Sequence, residues 1–216
     1  MLVLHLMPVR ARQAVFRRAV FLDRDGTINE DPGYLNEPEQ LQLLPSVGEA
    51  LVELKKAGFL LVVVSNQSGV GRGLITKHTL SLIHGRLNMM LEKWSVRIDH
   101  YESCIHMPED HCECRKPKPK LIFDSANKLN IDISASYLIG DKLSDLMAGR
   151  NAGCKGVVLV RTGEGLATES HLLSGEADFI GDSLLASIRW ILSQENEAPS
   201  MAPGQNQGHG RQTGIL

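Results

Sequence analysis

Nothing in the 216-residue chain approaches the ~20 consecutive apolar residues that a membrane-spanning helix needs. A secretory leader is not expected either. Met1 to Leu6 is apolar but short, and Arg10, Arg12, Arg17 and Arg18 follow that stretch instead of preceding it. A basic surplus is also missing. The formal net charge is −2, which argues against general nucleic-acid binding, because neutralising bulk phosphate needs an excess of Lys and Arg. Cysteine is scarce, four in all, and three of the four fall between positions 104 and 114. These absences predict a cytoplasmic monomer with no nucleic-acid or membrane partner. The length and the hydrophobic content of 43% suit one ordinary domain with its own core. Residues 1–18 read as an extension and 19–192 as the domain. The Gln-, Asn-, Gly-, Pro- and Glu-rich stretch 193–216 reads as a disordered tail.

The chain is organised around Ala19-Val20-Phe21-Leu22-Asp23-Arg24-Asp25-Gly26-Thr27. Four apolar residues predict a buried strand that runs directly into two carboxylates. Asp23 and Asp25 can both turn toward the space beyond the carboxyl edge of an open α/β sheet, where such sheets bind ligands. An Asx-type turn would use the same residues with no function attached. Residues 28–40 carry Pro32, Gly33 and Pro38 without a sustained period, and predict a flap over the strand's end. Ser46 with Glu49 reads as a capping box for a helix that puts Val47, Leu51 and Leu54 on one face and stops at Gly58. Phe59 to Val64 is a strand buried on both faces, which completes a parallel βαβ unit.

That second strand ends in Ser65-Asn66-Gln67-Ser68-Gly69-Val70-Gly71-Arg72-Gly73. Glycine-rich backbone there can aim amides at an anion, or can simply be a flexible loop. The next helix, 76–94, lines up Leu80, Ile83, Leu87, Met90 and Trp94, with its methionines as core filler and His78 and His84 as solvated positions. Cys104, His106, Cys112 and Cys114 follow, within the loop 104–114. Three thiolates and an imidazole form a tetrahedral structural zinc set with no open position for water. A disulfide is the rival and fits poorly with the missing leader, and His111 could replace His106 only awkwardly beside Cys112.

Arg115 and Lys116 come next. A surface basic patch is the ordinary reading, but a zinc loop fixes where two cations point and so suggests a phosphate clamp. A helix from Pro119 carries Leu121, Ile122, Ala126 and Leu129 and ends near Asn130. Tyr137 to Ile139 is a strand running into Gly140-Asp141-Lys142. Residues 143–152 form a helix closed by Gly153, 156–160 a further strand, and 183–192 the last helix.

Strand ends carrying Asp23/Asp25, Ser65-Asn66 and Asp141, with Lys116 between the last two, resemble the haloacid dehalogenase superfamily of phosphotransferases over residues 19–192. The zinc quartet with Arg-Lys-Pro narrows the resemblance to the branch of the heptose bisphosphate and histidinol-phosphate phosphatases. Asn29-Glu30-Asp31-Pro32-Gly33-Tyr34, Asn66-Gln67-Ser68-Gly69 and Gly140-Asp141-Lys142 point to the D-glycero-D-manno-heptose-1,7-bisphosphate 7-phosphatase family. That resemblance implies a Rossmann-like α/β fold, a central parallel sheet flanked by helices, with a minimal cap holding the zinc loop. It implies Asp23 as nucleophile through an aspartyl-phosphate, Asp25 as acid and base, and Ser65 and Lys116 stabilising the transferring group. Magnesium would be held by Asp23, Asp25 (partly through its backbone carbonyl) and Asp141. Asp31, Pro32, Gly33, Tyr34, Asn66, Gln67, Ser68, Arg115 and Lys142 would bind a small sugar bisphosphate on the way to a nucleotide-activated heptose. Histidinol phosphate is the alternative substrate, favoured by the five-residue gap between His106 and Cys112 and opposed by Asp31-Pro32-Gly33-Tyr34. A non-catalytic, zinc-stabilised interaction module is the reading of a different class, and has no use for the acid pair, Lys116 or Asp141.

Overall fold

The strand before Asp23 lies at the centre of a six-stranded parallel sheet. A computed structural model describes residues 16–197. Its strands are β1 (Ala19–Leu22), β2 (Leu60–Asn66), β3 (His100–Cys104), β4 (Tyr137–Gly140), β5 (Gly156–Val160) and β6 (Phe179–Gly181), in the order β3-β2-β1-β4-β5-β6. The chain steps outward from β1 to β3, then returns to the other side of β1 and steps outward again. That reversal leaves a crevice beyond the carboxyl ends of β1 and β4, the place where open α/β sheets bind ligands. Every residue of β1, β4 and β5 is buried, as parallel strands covered on both faces require.

Alternation along β1 divides the core in two. Val20 and Leu22 face one layer, filled from α1 (Val47–Lys56), α3 (Lys77–Leu91) and α7 (Leu184–Glu197) by residues such as Leu51, Leu54, Ile83, Leu87 and Ile188. Ala19 and Phe21 face the other, filled from α4 (Lys120–Leu129) and α5 (Leu143–Ala152) by Leu121, Ile122, Ala126, Leu146 and Ala148. Two short helices, α2 (Ser68–Gly71) and α6 (Gly165–Glu169), sit in loops at the carboxyl edge of the sheet. No helix among the described residues is long and apolar enough to cross a membrane.

Several local expectations are corrected. Ser46 adopts a left-handed conformation (φ 61°) and its side chain caps nothing, so the capping-box pattern with Glu49 is present in sequence but not in backbone. The glycine-rich loop forms the helical turn α2. His84 is half-buried and stacked on Tyr101, with ring centroids 4.1 Å apart, instead of solvated. Of the two methionines of α3, Met90 packs on the core and Met89 is exposed. The last helix runs on to Glu197, through five residues expected in the tail. Arg17, assigned to the extension, donates both backbone and side-chain hydrogen bonds to the carbonyls that end α4, at Asn130 and Leu129. Residues 1–15 and 198–216, the rest of the expected extension and tail, lie outside the described residues.

Candidate active site

Three strand and helix ends deliver carboxylates to the crevice. Asp23 follows β1 and stays tied to β4 through its N–H, which donates to Ile139 O at 2.9 Å. Asp141 follows β4, and Asp145 sits in the first turn of α5. Oxygens of Asp23, Asp141 and Asp145 lie within 4.8 Å of one another, and all three residues are buried. Lys116 reaches in from the loop after the cysteine cluster. Its Nζ lies 2.6 Å from Asp23 Oδ1 and 2.5 Å from Asp145 Oδ1, and donates to Val64 O at 2.8 Å. Burial alone would lower the Lys116 ammonium, but Asp145 and Asp23 outweigh it and hold it above the ordinary lysine range. One cation among three carboxylates leaves the cluster short of positive charge. Burial, despite Lys116, raises Asp23 to about 6, and burial together with the charge of Asp23 raises Asp141 to about 7. Asp141 Oδ2 accepts from the Glu164 N–H at 2.8 Å, whereas its Oδ1 is buried with no partner. An orphaned carboxylate oxygen in an all-oxygen cluster fits a hard divalent cation.

The Asp25 side chain lies outside this cluster, in which Asp145 is the third carboxylate. Arg24, only 1% exposed, curls back and grips Asp25 with two bonds, Nε to Oδ1 at 2.9 Å and Nη2 to Oδ2 at 2.8 Å. Asn29 donates to Oδ1 and Gln67 to Oδ2, each at 2.8 Å. Burial would raise the Asp25 carboxyl, but the Arg24 charge and these hydrogen bonds prevail and hold it below the usual carboxylate range. The turn at Gly26 must be glycine. Its φ is +83°, and a Cβ there would lie 2.3 Å from Asp141 Oδ2; Gly163, from the loop after β5, is crowded by the same oxygen.

The second cluster is local. Sulfur and nitrogen atoms of Cys104, His106, Cys112 and Cys114 approach within 3.2–3.7 Å in the pairs Cys104–His106, Cys104–Cys112, His106–Cys114, Cys114–Cys104 and Cys114–Cys112. These are the edges expected of a tetrahedron of donors about one ion, and all four cysteines of the chain are free thiols. His106 supplies the nitrogen, and His111 does not enter the cluster. Burial and the neighbouring Cys104 and Cys112 push the Cys114 thiol up to about 12, so this thiol gives up its proton only with a cation to share. The loop abuts α2 so closely that a Cβ on Gly71 would lie 2.7 Å from Ile105 O.

Beside the carboxylate cluster lies a cleft of about 210 Å3. Its walls include Asp23, Asp25, Ser65, Lys116 and Asp145, and also the expected Asp31, Gly33, Tyr34, Asn66, Gln67, Ser68, Arg115 and Lys142; Pro32 does not line it. Asp31 closes an Asx turn on the Gly33 N–H at 2.8 Å and faces Lys142 Nζ at 3.3 Å, which also faces Glu164 at 3.2 Å. Arg115 Nη1 is buried without a partner. Two expected substrate contacts are turned inward. Asn66 clamps the Lys116 backbone, accepting from its N–H at 3.0 Å and donating to its carbonyl at 3.2 Å. Gln67 is committed to Arg24, Asp25 and Ser65. Sequence reasoning missed Arg24, Asp145 and the Thr162–Glu164 loop. Only the closeness of Asp145 to Asp141, four residues on in sequence, could have signalled any of them.

A family model described as HAD-hydrolase-like matches residues 113–187. The D-glycero-beta-D-manno-heptose-1,7-bisphosphate 7-phosphatase of Haemophilus ducreyi is 39% identical over 182 residues, covering 81% of this chain and 98% of the relative. The protein of the same name from Escherichia coli K12 is 38% identical over 187 residues, covering 83% and 96%. Among solved structures, the D,D-heptose 1,7-bisphosphate phosphatase of B. bronchiseptica, complexed with magnesium and phosphate, matches with a TM-score of 0.76. It is 33% identical, and the match covers 82% of this chain and 99% of that one.

Proposed function

Because the chain belongs to the D-glycero-D-manno-heptose-1,7-bisphosphate 7-phosphatase family of haloacid-dehalogenase-like phosphatases, we propose that it hydrolyses the 7-phosphate of that sugar bisphosphate. The observation that carries this reading is the buried Asp23–Lys116–Asp145 ion cluster at the β1/β4 crevice, with Asp25 beside it. Lys116 holds Asp23 Oδ1, which leaves Oδ2 to attack phosphorus. The new bond is Asp23 Oδ2–P, the bond broken is P–O7, and Asp25 gives its proton to the departing alkoxide. An arriving phosphate dianion raises the proton affinity of Asp25, which the free site holds ionised. In the second half-reaction Asp25 takes a proton from water, the water oxygen attacks phosphorus, and inorganic phosphate leaves Asp23. Ser65 Oγ and Lys116 Nζ offset charge on the equatorial oxygens throughout. Both Asp145 oxygens are occupied, by Lys116 Nζ and the Lys142 N–H, so its part is to hold Lys116.

Asp23 and Asp141, with the Asp25 backbone carbonyl in the family's pattern, are the residues that would hold magnesium. Bound there, the ion supplies the positive charge that the carboxylate cluster lacks and that a phosphoryl group needs. Cys104, His106, Cys112 and Cys114 would hold zinc in a structural role. Arg115, Lys142 and the Asp31–Tyr34 flap are assigned to the second phosphate and the sugar hydroxyls. In this reading the chain acts as a cytoplasmic monomer on a small molecule, on the way to a nucleotide-activated heptose.

Phosphate release with magnesium tests this across heptose 1,7-bisphosphate, other sugar phosphates and histidinol phosphate. The heptose bisphosphate is expected to be the best substrate and to leave heptose 1-phosphate; a preference for histidinol phosphate would overturn the assignment. Asp23→Asn is expected to abolish turnover while the protein stays folded, and the wild type should yield a hydroxylamine-sensitive phosphoenzyme.

A further inference from the structure

Arg24 follows the nucleophile and precedes the acid, yet it points at neither the cleft nor the solvent. Only 1% of it is exposed, and its guanidinium lies behind Asp25 with Nε and Nη2 on the two carboxylate oxygens. The same Nη2 donates to Gln67 Oε1 at 3.1 Å, and Gln67 Nε2 donates to Asp25 Oδ2 and to Ser65 Oγ, both at 2.8 Å. This ring of donors fixes the Gln67 amide one way round. A guanidinium can only donate and a carboxylate can only accept, so the amide oxygen must face Arg24 and the amide nitrogen must face Asp25. Gln67 is itself 7% exposed. The floor beneath the ring also avoids a second cation. His84, stacked on Tyr101, is lowered to about 4 by burial and by the Arg24 charge, and so stays neutral.

We infer that Arg24 and Gln67 are positioning residues that aim the Asp25 carboxyl at the leaving-group oxygen, and that Gln67 is not a sugar contact. The inference rests on the phosphatase reading above. The step concerned is transfer of the Asp25 proton to the ester oxygen as the P–O bond breaks. A misaimed acid slows that step most for basic leaving groups and least for leaving groups that depart as stable anions. Because kcat/KM reports phosphoryl transfer to Asp23 and not the later hydrolysis, it isolates the acid role.

The test compares Gln67→Leu and Arg24→Lys with wild type on phenyl phosphate and 4-nitrophenyl phosphate, which differ little in size but much in leaving-group basicity. Gln67→Leu is expected to lower kcat/KM for phenyl phosphate by about 30-fold, part of the 10²–10⁴ that a general acid contributes, and for the nitrophenyl ester less than about threefold. In an Asp25→Asn background the same change should add less than about twofold, because residues acting through one group are not additive. Equal losses on both esters, no loss on either, or a full further loss in the Asp25→Asn background would overturn the inference. Gln67→Leu keeps the test open if the buried Arg24→Lys protein does not fold. A wild-type chain that releases phosphate from no ester would instead refute the phosphatase reading itself.

Discussion

The two ion-holding clusters are built in opposite ways. The Cys/His cluster comes from residues 104–114 alone, at the end of the edge strand β3 and in the irregular loop that follows it. Its donors already sit near the corners of a tetrahedron, and without a cation their protons crowd one another. The carboxylate cluster gathers residues from 23 to 145, and exists only because β1, β4 and α5 are packed in place by two layers of core. It contains a cation of its own, Lys116. One cluster makes local structure and the other is made by global structure. Lys116, two residues after the last thiol, joins them: the sulfur loop sets where its backbone goes, and the carboxylates fix where its charge goes.

Removing the built-in cation should have the largest effect. Lys116→Met leaves Asp23 and Asp145 buried without a partner, which costs about 3–5 kcal/mol when a buried pair is broken. Activity on every ester should fall at least about a hundredfold. The melting temperature should drop, and magnesium should restore part of the loss; an unchanged melting temperature would mean the cluster does not depend on Lys116. Breaking the local cluster comes next. Metal analysis of the pure protein should find about one zinc, and Cys112→Ser or a strong chelator should loosen the loop and lower activity about tenfold or more, with the sheet's circular dichroism retained. Normal activity in a zinc-free protein would show that the loop holds Lys116 without help.

The neighbour of Lys116 gives a sharper comparison. Arg115 bears an unpartnered buried nitrogen and faces the cleft, so Arg115→Ala should lower kcat/KM for the bisphosphate about ten- to a hundredfold, the ~1.5–3 kcal/mol of a charge-assisted contact. A small monophosphate ester should be much less affected. Equal losses would place Arg115 among the groups acting on the transferring phosphate. The smallest effect belongs to His84, which holds neither ion. Its folded value of about 4 lies below the ordinary histidine value of 6.5, so between those values the unfolded chain binds a proton that the folded chain refuses. Stability is therefore full above about pH 6.5 and falls as the pH drops toward 4, by about 2–3 kcal/mol from this group. His84→Phe, which keeps the stack on Tyr101, should flatten that loss in urea titrations at several pH values.

What the sequence made legible follows the same division. The sulfur cluster could be read from spacing alone, because its ligands are near neighbours. The central strands were legible as apolar runs, and α5 as a segment closed by Gly153. The edge strands β3 and β6 were not, because a short strand paired on one side needs few buried residues: β3 is His-Tyr-Glu-Ser-Cys. Asp145 looks like any acid in a helix's first turn, where the dipole favours it with no ligand at all. Asn66 and Gln67 were expected as substrate contacts from the resemblance, and both line the cleft. Their hydrogen bonds nevertheless go to Lys116 and Arg24, whose positions depend on pairing distant in sequence. Ser46 and Glu49 carried the capping pattern, but a left-handed backbone at Ser46 aims its hydroxyl elsewhere.

At the far edge of the sheet, opposite the chemistry, Glu195 accepts from Tyr137 Oη at 2.7 Å and Lys155 Nζ at 2.6 Å and pairs with Arg18. The last helix thus fastens the chain's way into β1, the start of β4 and the approach to β5 with one carboxylate. A recombinant version trimmed at residue 192, where composition alone would place the boundary, would delete that fastener and strand three donors at once. The practical boundary for expression is Glu197 or beyond, and a trimmed version should melt earlier although every residue of the cleft is intact.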